Sequence, residues 1–411
     1  MTWLVVIGGL VLLVFLHELG HFSVALAVGM RPRSFYVGFP PALVKVRRKG
    51  IEYGIGMIPL GGLVRIPGMH RPAARDLQVF VEPAVREQPS LAAPVGAVRR
   101  ALEVEDFEAA RRAYPELDRE VGAAHLSPGA RRSAQRALRD VEEGTARDAY
   151  WRAPTWKRVA VIAAGPLANV FIAFAILFVV FAVSGGPSQP QRPTAEVAAV
   201  EAGTPAANAG LQAGDRIVAV DGRPTRTFSA TSHVIRASRG APVTLTVVRD
   251  GRRVTVGPRP TIFRQGRWIF GFEPAVQLVT YTPGKAAGRA ASDLWHVVSS
   301  TGAGIASLFS KHGRSDLSGP VGIVRVSHSQ LQVGVTWYLE ILAFVSMSLA
   351  LLNLLPLLPL DGGHILFSLI EGIRRRALAR EVYERVSVVG IALMVLIFVI
   401  AFSNDVSGPP H

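Results

Sequence analysis

The 411-residue chain contains no cysteine. Disulfide staples, thiolate nucleophiles and cysteine-based zinc sites are therefore excluded. Charge is missing from whole stretches. Residues 3–28 have no Lys, Arg or Asp, and Glu18 is their only acid. Residues 159–183 and 386–402 have no ionisable side chain, and 337–360 carry a single charge, Glu340. Apolar runs of about 20 residues match the thickness of a bilayer, so four membrane segments are expected. The first run also lacks a basic stretch before it and an obvious small-residue cleavage site after it. Both features argue against a removable signal peptide.

Net charge is +15. The basic residues gather beside the apolar runs, so the excess reads as positive-inside asymmetry, and no nucleic-acid partner is expected. Arg31, Arg33, Lys45, Arg47, Arg48, Lys49 and Arg65 follow the first run. Lys157 and Arg158 abut the second, and Arg374, Arg375, Arg376, Arg380 and Arg385 lie between the last two. Four spans put all three groups on the cytoplasmic side of the cell inner membrane. Both termini and the region between spans two and three then lie outside. Trp3, Trp156 and Trp337 suit interfacial positions.

The expected fold is a multi-pass α-helical membrane protein with a membrane-associated β-hairpin and an inserted extracytoplasmic α/β domain. Residues 1–29 form the first span, and 30–70 form the hairpin region, with its turn at Arg48-Lys49-Gly50. Residues 71–150 mix charges of both signs with many Ala and read as a cytoplasmic insertion, helical or partly disordered. The second span covers 157–184. Residues 191–260 alternate short strands, turns and two short helices. Their order, with Ala209-Gly210-Leu211-Gln212-Ala213-Gly214-Asp215-Arg216-Ile217, resembles a PDZ domain of the bacterial protease-associated kind. Such a unit captures an extended chain or serves as a steric guard. Residues 261–336 are a linker with a helix over 287–309 and a junction from Ser318 to Ile323. The third and fourth spans cover 337–364 and 386–403.

The chemistry lies in His17-Glu18-Leu19-Gly20-His21, inside the first apolar run. On a helix, residues four apart share a face, so both imidazoles reach one metal. Glu18 sits beside that face and can orient and deprotonate water. Two histidines and a glutamate in an apolar helix are costly without partners, which leaves a purely structural role weak. A third protein ligand is needed. Asp361, in Asn353-Leu354-Leu355-Pro356-Leu357-Leu358-Pro359-Leu360-Asp361-Gly362-Gly363-His364, follows an apolar run whose prolines and glycines break regular helix. His364 is the substitute. Asn169, in Ala164-Gly165-Pro166-Leu167-Ala168-Asn169, and Asn353 are polar groups deep in the second and third spans. Each suits a substrate or oxyanion contact, and each equally suits interhelical glue. About 17 Å of helix separates His17 from Val28 at 1.5 Å per residue, so the site would lie below the cytoplasmic surface.

These pieces, with Ile58-Pro59-Leu60-Gly61-Gly62, resemble the site-2 protease family of intramembrane zinc metalloproteases, in its bacterial sigma-factor-regulating branch. The likeness covers most of the chain apart from 71–150. It implies one Zn2+ per chain held by His17, His21 and Asp361, with Glu18 as base. It also implies single-span membrane substrates, such as an anti-sigma factor first cut by a site-1 protease, or signal-peptide remnants. The second proline of the Asn353 segment stands one position later than in many relatives, and one PDZ-like unit is evident where some relatives have two. The competing readings are a PDZ-bearing scaffold and a metal transporter. The combined HExxH and Asp set argues against the first, and the sparse polar groups of the spans against the second.

Overall fold

The computed structural model describes residues 2–69, 71–187, 193–264, 266–307, 319–378 and 380–407. The end of the helix expected to reach 309, the first residue of the junction at Ser318 and the first two residues of the 191–260 unit lie outside these. Two compact units are present, one of Met1–Leu177 with Ala290–His411 and one of Phe178–Arg289.

In the first unit, the apolar runs form α1 (Thr2–Ala27) and α6 (Thr155–Val183). Among the described residues, four helices are long and apolar enough to cross a membrane, the other two lying near the C-terminus. The protein is a multi-pass membrane protein. After α1, β1 (Ser34–Arg48) and β2 (Ile51–Arg65) pair antiparallel. Both strands bend. Residues 34–37 therefore pair with 52–55 on one side and 62–65 on the other, while 44–48 pair with 51–55. Gly61, at φ +103°, permits the bend that returns 62–65 to the sheet. Residues 62–65 form one edge.

Four helices follow: α2 (Ala74–Glu87), α3 (Ala92–Glu103), α4 (Phe107–Ala123) and α5 (Pro128–Thr145). They share a continuous apolar core that includes Leu77, Leu91, Val98, Leu117 and Leu138. Asp106 and Ser127 accept hydrogen bonds from the Ala109 and Ala130 N–H groups, capping α4 and α5. The bundle holds the end of β2, where Arg65 pairs with Glu143 of α5 at 2.7 Å, and just outside these elements Arg33, before β1, pairs with Asp148, after α5, at 3.1 Å.

In the second unit, β4 (Pro193–Val200), β5 (Arg216–Val220), β7 (Pro242–Arg249), β8 (Arg252–Pro260) and β11 (Phe272–Val276) order as β11-β4-β5-β7-β8. The short β3 (Gly186–Pro187), β6 (Arg223–Pro224), β9 (Ile262–Arg264), β10 (Arg267–Ile269) and β12 (Leu278–Val279) lie around it, with α7 (Pro205–Ala209) and α8 (Phe228–Ala237). Val243, Leu245 and Val247 alternate inward along β7 and are fully buried. The sheet extends past the expected limit of 260, because β11 pairs with β4, some seventy residues away in sequence.

The helix α9 (Pro283–Ser307) leads out of this unit. After α10 (Pro320–Val333) come α11 (Val335–Asn353), α12 (Asp361–Arg374) and α13 (Arg380–Ser407). The third apolar run is thus helical only to Asn353. It then breaks over 354–360 before α12 begins.

Candidate metal centre

The central residues come from two helices far apart in sequence. His17 and His21 stand one turn apart on α1 and are 6% and 7% exposed. Their Nε2 atoms are 3.2 Å apart. Asp361 opens α12, and its Oδ2 lies 3.4 Å from each Nε2. A tetrahedral zinc ion with bonds of about 2.0–2.1 Å needs donors about 3.3 Å apart, so the triangle already has the required size. Two imidazoles and a carboxylate are also a donor set typical of hydrolytic zinc sites, which keep a fourth position open.

Local sequence explains how Asp361 arrives. Pro356 and Pro359 withhold backbone donors where α11 stops. Gly362 and Gly363 pack against that turn. A Cβ on Gly362 would strike the Leu354 and Leu355 carbonyls, and one on Gly363 would strike the Leu357–Leu358 backbone. The glycine pair lets α12 begin close enough to hold its first carboxylate beside α1.

The back wall is α6. A Cβ on Gly165 would collide with both imidazoles, and one on Gly20 of α1 would collide with the Ala164 carbonyl. The two helices therefore approach at small residues, as packed membrane helices do. His21 Nδ1 lies 2.9 Å from the Val161 carbonyl. An N–H donated there leaves the Nε2 lone pair facing Asp361 and His17. His17 Nδ1 lies 3.2 Å from the Asn169 side-chain amide.

The front wall is the edge strand 62–65. Gly62 passes directly over Glu18, and a Cβ there would strike the Glu18 side chain. The Val64 N–H is directed at the Glu18 carboxylate. A cavity of about 560 Å³ is lined by His17, Glu18, His21, Gly62, Asn353 and Asp361. His364 also lines it but is not part of the three-donor group. The two asparagines, alike in sequence, differ here. Asn353 faces the cavity, with Nδ2 3.5 Å from His17 Nε2. Asn169 is fully buried behind His17, and its backbone carbonyl accepts a hydrogen bond from the Ser346 hydroxyl at 2.9 Å.

Sequence reasoning missed Gly20, Gly62, Gly165 and the Val161 carbonyl. The available signal was small residues at helix-contact spacing in the Ala164–Asn169 stretch and a Gly inside HELGH.

Histidines, a carboxylate and a neighbouring glutamate, gathered around one cavity among long apolar helices, define a membrane metallopeptidase. Comparison with known proteins supplies the family. The profile described as Peptidase family M50 matches residues 5–397, and the chain belongs to that family. A candidate zinc metalloprotease of Mesorhizobium japonicum is 30% identical over 417 residues, covering 97% of this chain and 96% of the relative. A candidate zinc metalloprotease of Neisseria meningitidis is 30% identical, covering 99% of each chain. The zinc metalloprotease RasP of Bacillus licheniformis is 28% identical, covering 96% of each.

Proposed function

We propose that this chain is an intramembrane zinc endopeptidase that hydrolyses peptide bonds within transmembrane segments of single-span membrane proteins. The observation that carries the reading is the His17–His21–Asp361 triangle, with Glu18 on the same cavity inside an apolar helix bundle. His17, His21 and Asp361 are the residues that would hold zinc. Bound there, zinc supplies Lewis acidity, which polarises the scissile carbonyl and makes water a nucleophile at neutral pH. Glu18 accepts the proton of the attacking water as the carbon–oxygen bond forms. It then delivers a proton to the leaving amide nitrogen as the carbon–nitrogen bond breaks. Asn353, on the cavity wall, donates its amide to the carbonyl oxygen as charge develops.

A transmembrane helix protects its peptide bonds with internal hydrogen bonds, so the substrate must unwind first. The edge strand 62–65 beside Glu18 offers backbone groups to the unwound segment and compensates for the bonds it loses. The basic groups at the membrane boundaries favour an active site near the cytoplasmic face, with both termini and the Phe178–Arg289 unit outside. That unit we read as PDZ-like. The support is a groove of about 710 Å³ between α8 and the edge strand β11, lined by Phe228, Ser232, Ile235, Gly271 and Phe272. We assign the second cut of an anti-sigma factor, after a site-1 protease, as the physiological step. Clearance of signal-peptide remnants would use the same chemistry on another single-span substrate.

The test is cleavage of a helix-destabilised transmembrane peptide by the purified protein, with and without zinc. Cleavage should require zinc, and Glu18→Gln should retain the ion while turnover falls by roughly 10²–10⁴-fold. Undiminished turnover in Glu18→Gln would remove the general base from the account.

A further inference from the structure

His21 and His17 pose the same chemical problem, and α6 answers it in two ways. Each ring must keep the lone pair of Nε2 for the centre it shares with Asp361, so each must carry its proton on Nδ1. For His21 the acceptor of that proton is the Val161 carbonyl, at 2.9 Å. For His17 the group within reach of Nδ1 is the side-chain amide of Asn169, at 3.2 Å. An amide NH2 has no lone pair to offer an N–H. The amide oxygen does, and Asn169 Oδ1 is a buried atom without a hydrogen-bond partner among the described residues. A half-turn of the terminal amide exchanges its two ends and brings Oδ1 to His17 Nδ1–H.

We propose that Asn169 is a positioning residue whose amide oxygen accepts the Nδ1–H of His17 and thereby fixes the tautomer and orientation of that ring for zinc. The inference rests on the zinc-peptidase reading above and replaces the substrate or oxyanion contact expected of Asn169. Three observations separate it from that role. Asn169 is fully buried. It stands on the Nδ1 side of His17, away from the edge facing Asp361. Its backbone carbonyl is tied to Ser346 of α11, which holds its stretch of α6 in register behind the site. Such outer partners of metal-ligating histidines typically contribute 10–100-fold to metal affinity.

The two roles ask opposite things of the side chain. An oxyanion contact must donate a hydrogen bond, whereas a tautomer-setting contact must accept one. Asn169→Asp keeps the acceptor and removes the donor, and Asn169→Leu removes both at similar size. The experiment is zinc affinity of the full-length protein in detergent, by competition with a chromophoric chelator, for wild type and both variants. Helical content measured alongside identifies a variant that has not folded. Nitrogen-15 NMR of ring-labelled histidine in the zinc-loaded wild type is the second readout. The expected result is a 10–100-fold loss of affinity in Asn169→Leu, near-wild-type affinity in Asn169→Asp, and a His17 proton on Nδ1. Wild-type affinity in a folded Asn169→Leu overturns the proposal, as does a His17 Nδ1 without a proton. If Asn169→Leu fails to fold, Asn169→Ala, which also removes donor and acceptor, takes its place under the same expectation. Wild-type protein that retains no zinc would instead sink the underlying peptidase reading, so the two failures are distinguishable.

Discussion

Two sets of glycines, one in the turns of the Phe178–Arg289 unit and one around the metal centre, serve different purposes. In the Phe178–Arg289 unit, Gly210, Gly214, Gly222 and Gly251 have positive φ and open space where a side chain would stand. They serve backbone turns. Around the metal centre, Gly20, Gly62, Gly165, Gly362 and Gly363 have no unusual φ, and each abuts another atom group where a Cβ would be. They serve close approach. The polar groups divide the same way. Asp215 of the second unit is buried beneath a turn, where its carboxylate accepts from the Gln212 N–H and from Arg249. His17, His21, Asn169 and Asp361 gather between apolar helices, where an unpartnered polar group is costly. The turn glycines and Asp215 serve folding, whereas the glycines and polar groups of the metal centre serve to gather donors.

Substitutions can break this contrast, and the largest effect is expected at Gly165. Gly165→Ala inserts a methyl group against both imidazoles, so zinc affinity should fall by at least the 10–100-fold typical of a lost outer partner. Chelator competition measures it, and retention of wild-type affinity would mean that the helices separate freely. The next effect is on stability. Asp215→Ala removes hydrogen bonds to a charged partner and should cost about 2–3 kcal/mol in the second unit, read from denaturant unfolding. Burial alone would raise the Asp215 carboxyl, but the Arg249 pair and the Gln212 N–H outweigh it and hold it below the ordinary carboxylate range. A depressed folded pKa gives stability that is present above the unfolded pKa and is lost as pH falls through the folded one. The gap between wild type and Asp215→Ala should therefore narrow only in acid. A gap that widens toward low pH would contradict the assignment. The smallest effect is at Gly222, with φ +74° and nothing nearby. Gly222→Ala should cost about 1–2 kcal/mol from backbone strain alone and leave zinc affinity unchanged.

Much of the centre was legible because its signals are local. The spacing of His17 and His21 places both rings on one helix face, and the carboxylate after Leu360 stands out against the apolar run before it. The meeting of α1 with α12 was legible only as a requirement for a third ligand. The different placements of Asn169, buried behind His17, and Asn353, on the cavity wall, were not legible, because sequence shows that a helix carries an amide but not which neighbour its face meets. The extent of the second unit was hidden for a similar reason, since β11 joins the sheet through a partner distant in sequence. Residues 71–150 hid their order behind mixed charge. The stripe of Ala130, Ala134, Ala137 and Val141 carries the packing of α5, and small residues register weakly in a hydrophobic pattern.

Zinc-edge X-ray absorption on the purified protein, combined with metal stoichiometry, tests the His17–His21–Asp361 centre itself. One zinc per chain is expected, bound by two imidazole nitrogens and by oxygen at about 2.0–2.1 Å, with a weakened imidazole signature in His21→Ala and weakened retention in Asp361→Asn. A zinc environment of oxygen alone, unchanged by either substitution, would contradict that centre.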